Sequence, residues 1–79
     1  MDWRERIAIE PGKRSGKPCI KGTRITVADI FSYLAAGETE ETIRAEWTYL
    51  THEDFLAVYA YAAVNEHWAT PATESVSSS

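Results

Sequence analysis

The hydrophobic pattern of the chain changes from a period of two to a period of about 3.6 at Thr26. Before Thr26, the large isoleucines at positions 7 and 9 alternate with Arg6 and the small Ala8, and Pro11 and Gly12 then interrupt the alternation. This pattern predicts a short β-strand that ends in a turn. Residues 18–25 begin with a proline and contain β-branched side chains, so we expect a second extended segment beside the first strand.

Three helices are predicted after this point, each beginning at a threonine. Thr26 and Thr51 are each followed three residues later by an aspartate, which is the spacing of a capping box, and two glutamates after Thr39 favour a helix N-terminus. Gly37 is placed to end the first helix, and the third is expected to run to about Trp68. The apolar positions at helical spacing are Val27, Ile30, Phe31 and Leu34, then Ile43, Trp47 and Leu50, then Phe55, Val58, Tyr59 and Ala62.

These elements predict a mainly α fold, a trihelical helix-turn-helix domain that is preceded by short β-strands. We assign residues 1–69 to this small domain with its N-terminal β-hairpin. Residues 70–79 are small, polar and aperiodic, and we expect them to form a disordered tail. A chain of 79 residues buries only a modest core, so a second copy or another partner is expected to add stability.

Cysteine usage and hydropathy bear on the expected compartment. The chain has one cysteine, Cys19, which cannot close an intrachain disulfide. Neither a secretory signal nor an apolar run long enough to span a membrane is visible. We therefore expect a cytoplasmic protein with no membrane partner.

Charge is distributed unevenly along the chain. Residues 1–25 carry seven Lys and Arg against three Asp and Glu, a net charge of +4, whereas residues 26–79 carry one against nine, a net charge of -8. Such a split favours one face that attracts phosphate or an acidic protein surface and another that repels both. A solvated basic loop beside ordinary acidic helix starts is the alternative interpretation. The residues expected to contact a partner or phosphate are Lys13, Arg14, Lys17, Lys21 and Arg24.

Enzyme chemistry has little support in the sequence. Residues 12–18 read GKRSGKP, but three residues rather than four separate the glycines, and Pro18 stands where a phosphate loop needs Ser or Thr. His52 and His67 are separated by about 22 Å along the predicted third helix, so they cannot share a metal ion within one chain. Cys19 beside Ile20 favours a small buried group over a nucleophile. We predict no catalytic residues, no metal site and no cofactor.

The predicted third helix is poorly suited to read DNA, because residues 52–68 contain no Lys or Arg. Any phosphate contact would then fall to the basic segment. Aromatic side chains offer a protein interface instead, since Trp and Tyr are common anchors there. We expect Trp3, Tyr49, Tyr61 and Trp68 to lie off the apolar helix faces, either as an interface or as scattered surface aromatics.

Two runs of sequence resemble a known family of short prokaryotic proteins. The run GKPCIKGTRITVADIFSYLAAGETEETI at 16–43 contains the family's Gly-Lys-Pro-x-Ile-x-Gly-Thr-Arg-Ile core, and LTHEDFLAVYAYA follows at 50–62. Members are often described as antitoxins of a PIN-like ribonuclease toxin. The resemblance implies a homeodomain-like or winged trihelical fold. Members commonly have Tyr-Pro before the Leu-Thr of the third helix, whereas this chain has Trp47, Thr48 and Tyr49 there.

The resemblance implies a non-enzymatic antitoxin-like protein that forms a homodimer and neutralises a cognate PIN-like toxin, with autoregulation through binding of promoter DNA as a further role. A protein adaptor that uses the third helix and a stand-alone DNA-binding repressor are the alternatives. Arg24 has two possible roles, since it precedes the first helix closely enough to meet an external anion or to lock the hairpin on the helices by pairing with Asp29 or a nearby Glu.

Overall fold

The structure, a computed structural model, describes residues 2–65. It is mainly helical, with a two-stranded antiparallel sheet near the N-terminus, as the sequence pattern predicts. The strands are β1 (Ile7–Ala8) and β2 (Cys19–Ile20), and the helices are α1 (Val27–Ala35), α2 (Glu40–Glu46) and α3 (His52–Val64). Short 3-10 turns at Trp3–Glu5 and Arg14–Gly16 precede the two strands.

The sheet is a small hairpin that packs on the helices. Ile7 pairs with Ile20 and Ala8 with Cys19, so the two isoleucines of the first pair project to the same buried side. A further bridge joins Cys19 to Thr26, which is the residue before α1. The hairpin is thereby tied directly to the start of the first helix.

Each helix begins with a reciprocal capping box. The pairs are Thr26 with Asp29, Thr39 with Thr42, and Thr51 with Asp54. In each pair the threonine hydroxyl accepts a backbone N–H, and the second side chain accepts the N–H of the threonine, so two otherwise unpaired donors are satisfied. The predicted helix starts are confirmed, and Gly37 follows α1 with a φ of 100°.

One cluster of buried side chains holds the sheet and helices together. Phe31, Leu34, Trp47 and Trp3 pack at its margin, partly exposed. The cluster consists of Ile7, Ile20, Ile25, Val27, Ile30, Ile43, Leu50, Phe55, Ala57, Val58 and Tyr61.

The predicted core face of α3 is partly wrong. Tyr59 is 37% exposed and Tyr61 only 8% exposed, which reverses the predicted placement of the two tyrosines. Residues 55–64 are all apolar, so periodicity alone does not select a face, and contact with the ring of Trp3 accompanies the burial of Tyr61. The helix ends at Val64 rather than at about Trp68.

Two other expectations concern the C-terminal part of the chain. Trp68 and the tail expected at residues 70–79 lie outside the described residues. Among residues 2–65, none of the helices combines the length and apolar character needed to cross a membrane.

Candidate binding site on the N-terminal hairpin

The connection between β1 and β2 contains an unusual left-handed turn. Arg14, Ser15 and Gly16 have φ values of 49°, 58° and 79°. Left-handed backbone costs a non-glycine residue about 1–2 kcal/mol, so the turn persists only where its surroundings hold it. Two backbone hydrogen bonds close it, from Gly16 N to Lys13 O at 2.9 Å and from Lys17 N to Arg14 O at 3.1 Å.

The side chain of Arg14 fastens this turn to the rest of the fold. Its Nη1 donates to the carbonyl oxygen of Arg24 at 2.7 Å and to Asp29 Oδ2 at 3.1 Å. The same Asp29 oxygen accepts the backbone N–H of Thr26, so one carboxylate both caps α1 and holds the hairpin. Arg14, and not Arg24, makes the ion pair with Asp29. Of the two roles predicted for Arg24, contact with an external anion is therefore the one that this geometry leaves open.

Lys13 also bonds within the hairpin. Its Nζ lies 3.3 Å from the carbonyl oxygen of Thr23 and 3.7 Å from Glu10 Oε1, and the side chain is largely covered. Two of the five residues predicted to contact a partner, Lys13 and Arg14, therefore hold the loop in shape.

Lys17, Lys21 and Arg24 differ from those two residues. All three are exposed, and within residues 2–65 none of their side chains forms an ion pair or a hydrogen bond. We call these three residues the free cations. They lie on either side of β2, with Lys17 just before it and the other two at the ends of the turn 21–24. That turn is closed by a hydrogen bond from Ile20 N to Ile25 O at 2.9 Å.

A second arginine fastens the hairpin to α3. Arg6 Nη1 donates to Asp54 Oδ1 at 3.0 Å, and Asp54 is 7% exposed. The other oxygen of Asp54 accepts the backbone N–H of Thr51. We call the pairs Arg6–Asp54 and Arg14–Asp29 the two latches. Sequence reasoning counted Arg6 only as a charge. The sequence did mark the two aspartates, which lie three residues after the threonines that start α1 and α3. It did not mark the arginines that pair with them.

The aromatic interface candidates occupy different environments. Tyr61 belongs to the core, so its assignment to an exposed face is wrong. The Trp3 ring meets Tyr61 edge-on, with ring centres 5.0 Å apart, and the Arg4 guanidinium lies 4.8 Å from the Trp3 ring centre. Tyr49 is exposed, in the connection between α2 and α3. Trp68 lies beyond the described residues.

A cluster of paired polar side chains lies where α2 meets α3. Glu40 Oε2 is 2.8 Å from His52 Nδ1 and 3.4 Å from Arg44 Nη1, beside an open cavity of about 500 Å³. Partial burial raises the pKa of the Tyr59 phenol, and the Glu40 carboxylate raises it further. In residues 2–65, no three His, Cys, Asp or Glu side chains are grouped so that they could hold a metal ion. Arg44 is neutralised within this cluster, unlike the free cations.

The fold is that of a small, mainly helical protein with a two-stranded sheet near the N-terminus. Comparison with known proteins identifies the family to which this fold belongs. A family model described as a protein of unknown function (DUF433) matches residues 7–62, and the chain belongs to this family. The chain is similar to a DUF433 member protein from Anabaena variabilis whose crystal structure is known, with 32% sequence identity and a TM-score of 0.76. The alignment covers 80% of this chain and 62% of that one. No curated protein matches the chain.

Proposed function

We propose that this chain is a non-enzymatic, antitoxin-like binding protein that neutralises a cognate PIN-like ribonuclease in the cytoplasm. The observation that carries the proposal is the set of free cations, which are exposed on a hairpin whose other basic residues already have partners. A cation without an internal partner interacts favourably with an external anion and has no competing contact to break.

The mechanism is electrostatic. A PIN-like nuclease gathers several carboxylates around magnesium, and its acidic opening attracts cations. Docking of the hairpin there would place the two lysines and the guanidinium of Arg24 where the RNA backbone must enter. Arg24 has the planar fork that binds a carboxylate through two hydrogen bonds. The latches fix the loop before docking, which reduces the entropy lost on binding.

Contact with promoter DNA is the second role that we propose for the same hairpin. The finer fold assignment belongs to this proposal, since α2, a short connection and α3 follow the order of a helix-turn-helix motif. Residues 52–65 contain no Lys or Arg, and the exposed carboxylate of Glu53 in the first turn of α3 would repel phosphate. The free cations would therefore supply the phosphate contacts, and DNA affinity would fall steeply with salt.

The experiment is co-purification with the product of the neighbouring reading frame, followed by a ribonuclease assay of that product. We expect this chain to inhibit cleavage, and we expect Arg24→Glu to weaken inhibition by at least about tenfold. Arg4→Glu is the matched control, because Arg4 is also an exposed arginine but pairs with Asp2 on the other side of β1. Equal inhibition by the two variants, or no complex with the wild-type chain, would contradict the proposal.

A further inference from the structure

A small cavity lined by two aromatic rings lies where the C-terminal parts of α1 and α2 meet. The Tyr33 and Trp47 rings contact each other edge-on, with their centres 5.2 Å apart. The cavity has a volume of about 170 Å³ and is lined by Tyr33, Glu38, Ile43, Glu46 and Trp47. We call it the aromatic cavity. Pockets for drug-sized molecules measure about 300–1,000 Å³, so this smaller one suits a single side chain.

The two carboxylates of the aromatic cavity have no cationic partner in the described part of the chain. Glu38 and Glu46 are both exposed. One oxygen of Glu38 accepts the Thr42 hydroxyl at 3.2 Å, and within residues 2–65 neither carboxylate pairs with Lys, Arg or His. Two like charges at one cavity repel each other, and a bound cation would relieve that repulsion.

Helix stability does not explain the position of Glu46. It is the last residue of α2, where the negative end of the helix dipole disfavours an anion. Glu40 and Glu41, in contrast, lie in the first turn of the same helix, where the dipole favours them. Arg44 in the last turn pairs with Glu40 rather than with Glu46. A carboxylate that neither the dipole nor an ion pair stabilises is available to an external cation.

The chemistry of the lining matches an arginine side chain. Aromatic ring faces attract cations, and an edge-on ring pair uses only one of its ring faces for the contact between the rings. A guanidinium group is planar, stacks on aromatic rings and donates several hydrogen bonds to carboxylates. The apolar stem of the same side chain would contact the rings and Ile43, as the stems of long basic side chains do on apolar surfaces.

Nucleic acid and the chain's own C-terminal segment do not supply such a group. The two carboxylates would repel a phosphate backbone. Residues 66–79 contain no Lys or Arg. A basic segment of another protein has both the charge and the long side chain that the cavity requires.

We propose that the aromatic cavity binds an arginine side chain from a basic segment of a protein partner, with the guanidinium in contact with the two carboxylates and the two rings. The cavity is built by α1, α2 and the connection between them, whereas the free cations lie on the hairpin. The inference therefore goes beyond the proposed function and does not depend on it.

The test is a titration of the ¹⁵N-labelled full chain, followed by two-dimensional NMR, with the blocked tripeptide acetyl-Gly-Arg-Gly-amide as the probe. We expect saturable shifts of the Trp47 indole N–H and of backbone N–H groups around the cavity, with a dissociation constant in the millimolar range. The corresponding lysine peptide should bind at least about threefold more weakly, because an ammonium group lacks the planar fork. The citrulline peptide has nearly the same shape but no charge, and it should show no saturable binding at the same concentrations.

Variants of the chain test the residues that carry the proposal. Glu46→Gln removes one carboxylate and is expected to raise the dissociation constant of the arginine peptide by at least about threefold. Glu41→Gln is the matched control, because it makes the same change at another exposed glutamate of α2 that does not line the cavity. The triple variant with Lys17→Gln, Lys21→Gln and Arg24→Gln should bind the peptide as the wild type does, which separates failure of this inference from failure of the proposed function.

Three results would overturn the inference. They are the absence of saturable shifts at the aromatic cavity, equal binding of the arginine and citrulline peptides, and wild-type affinity in Glu46→Gln. The NMR spectrum of each variant reports whether it is folded. A lysine peptide that binds as tightly as the arginine peptide would overturn the assignment of arginine as the bound side chain.

Discussion

Two sets of basic side chains on the same hairpin behave in opposite ways. Arg6 and Arg14 each reach a helix start and bond to an aspartate that also caps the helix. Lys17, Lys21 and Arg24 extend into solvent. The difference follows from geometry rather than residue type, because Arg14 and Arg24 are both arginines and only Arg14 pairs with Asp29. Net charge of a segment is therefore a poor guide to its binding surface until internal pairs are subtracted.

The largest effect should come from the more buried latch. Asp54→Ala removes the Arg6 ion pair and the capping bond to Thr51 at a site that is 7% exposed. We expect the free energy of unfolding to fall by about 2–3 kcal/mol, measured by urea denaturation. Asp2→Ala is the control, because Asp2 caps a 3-10 turn and pairs with Arg4 but is exposed. Equal losses for the two variants would show that burial of the latch contributes nothing.

The second latch should matter less. Arg14→Ala removes the bonds to Asp29 and to the carbonyl of Arg24, but the pair is about one third exposed. We expect a loss of about 1 kcal/mol, against less than about 0.5 kcal/mol for Lys17→Ala. At a temperature where both variants remain folded, Lys17→Ala should instead weaken inhibition of the nuclease more than Arg14→Ala does. A greater loss of stability with Lys17→Ala would erase the distinction between latched and free cations.

Replacing Ser15 by glycine should relieve strain in the left-handed turn and so increase stability, by less than the two latch variants reduce it. Ser15 has φ 58° and ψ 34°, a conformation that glycine adopts without steric cost. We expect Ser15→Gly to raise the free energy of unfolding by about 0.5 kcal/mol, after allowing for the greater entropy of glycine in the unfolded chain. Ser32→Gly, at an exposed helical position in α1, should instead lower stability.

The smallest effect concerns Tyr59. Burial and the nearby Glu40 raise its pKa above the ordinary value of 10.0, so the folded state holds the phenol proton more tightly than the unfolded chain does. The stability that the protonated Tyr59 phenol contributes is present below pH 10 and is lost as the pH rises through the folded-state pKa. Tyr59→Phe should therefore lose less stability than the wild type above that pH in parallel urea titrations. Tyr49→Phe is the control, and a wild-type slope identical to that of Tyr59→Phe would contradict the assignment.

Local signals in the sequence predicted most of the backbone. The threonine caps, Gly37 and the alternation at residues 6–9 act over a few residues, and the structure contains the elements that they indicate. The face of α3 was not predictable in this way, because an unbroken apolar run has no preferred side until other elements pack on it. The latches were missed for a related reason. They join residues 15 and 48 positions apart, and no local pattern encodes such a pairing.

The most direct test of the central claim is the salt dependence of the complex with the neighbouring-gene nuclease. Binding would be measured by isothermal titration calorimetry over a range of ionic strengths, for the wild type and for a triple variant with Lys17→Gln, Lys21→Gln and Arg24→Gln. We expect wild-type affinity to fall steeply as salt rises, and the triple variant to bind weakly with little dependence on salt. A triple variant with wild-type affinity and an unchanged salt dependence would contradict the claim that the free cations form the binding surface.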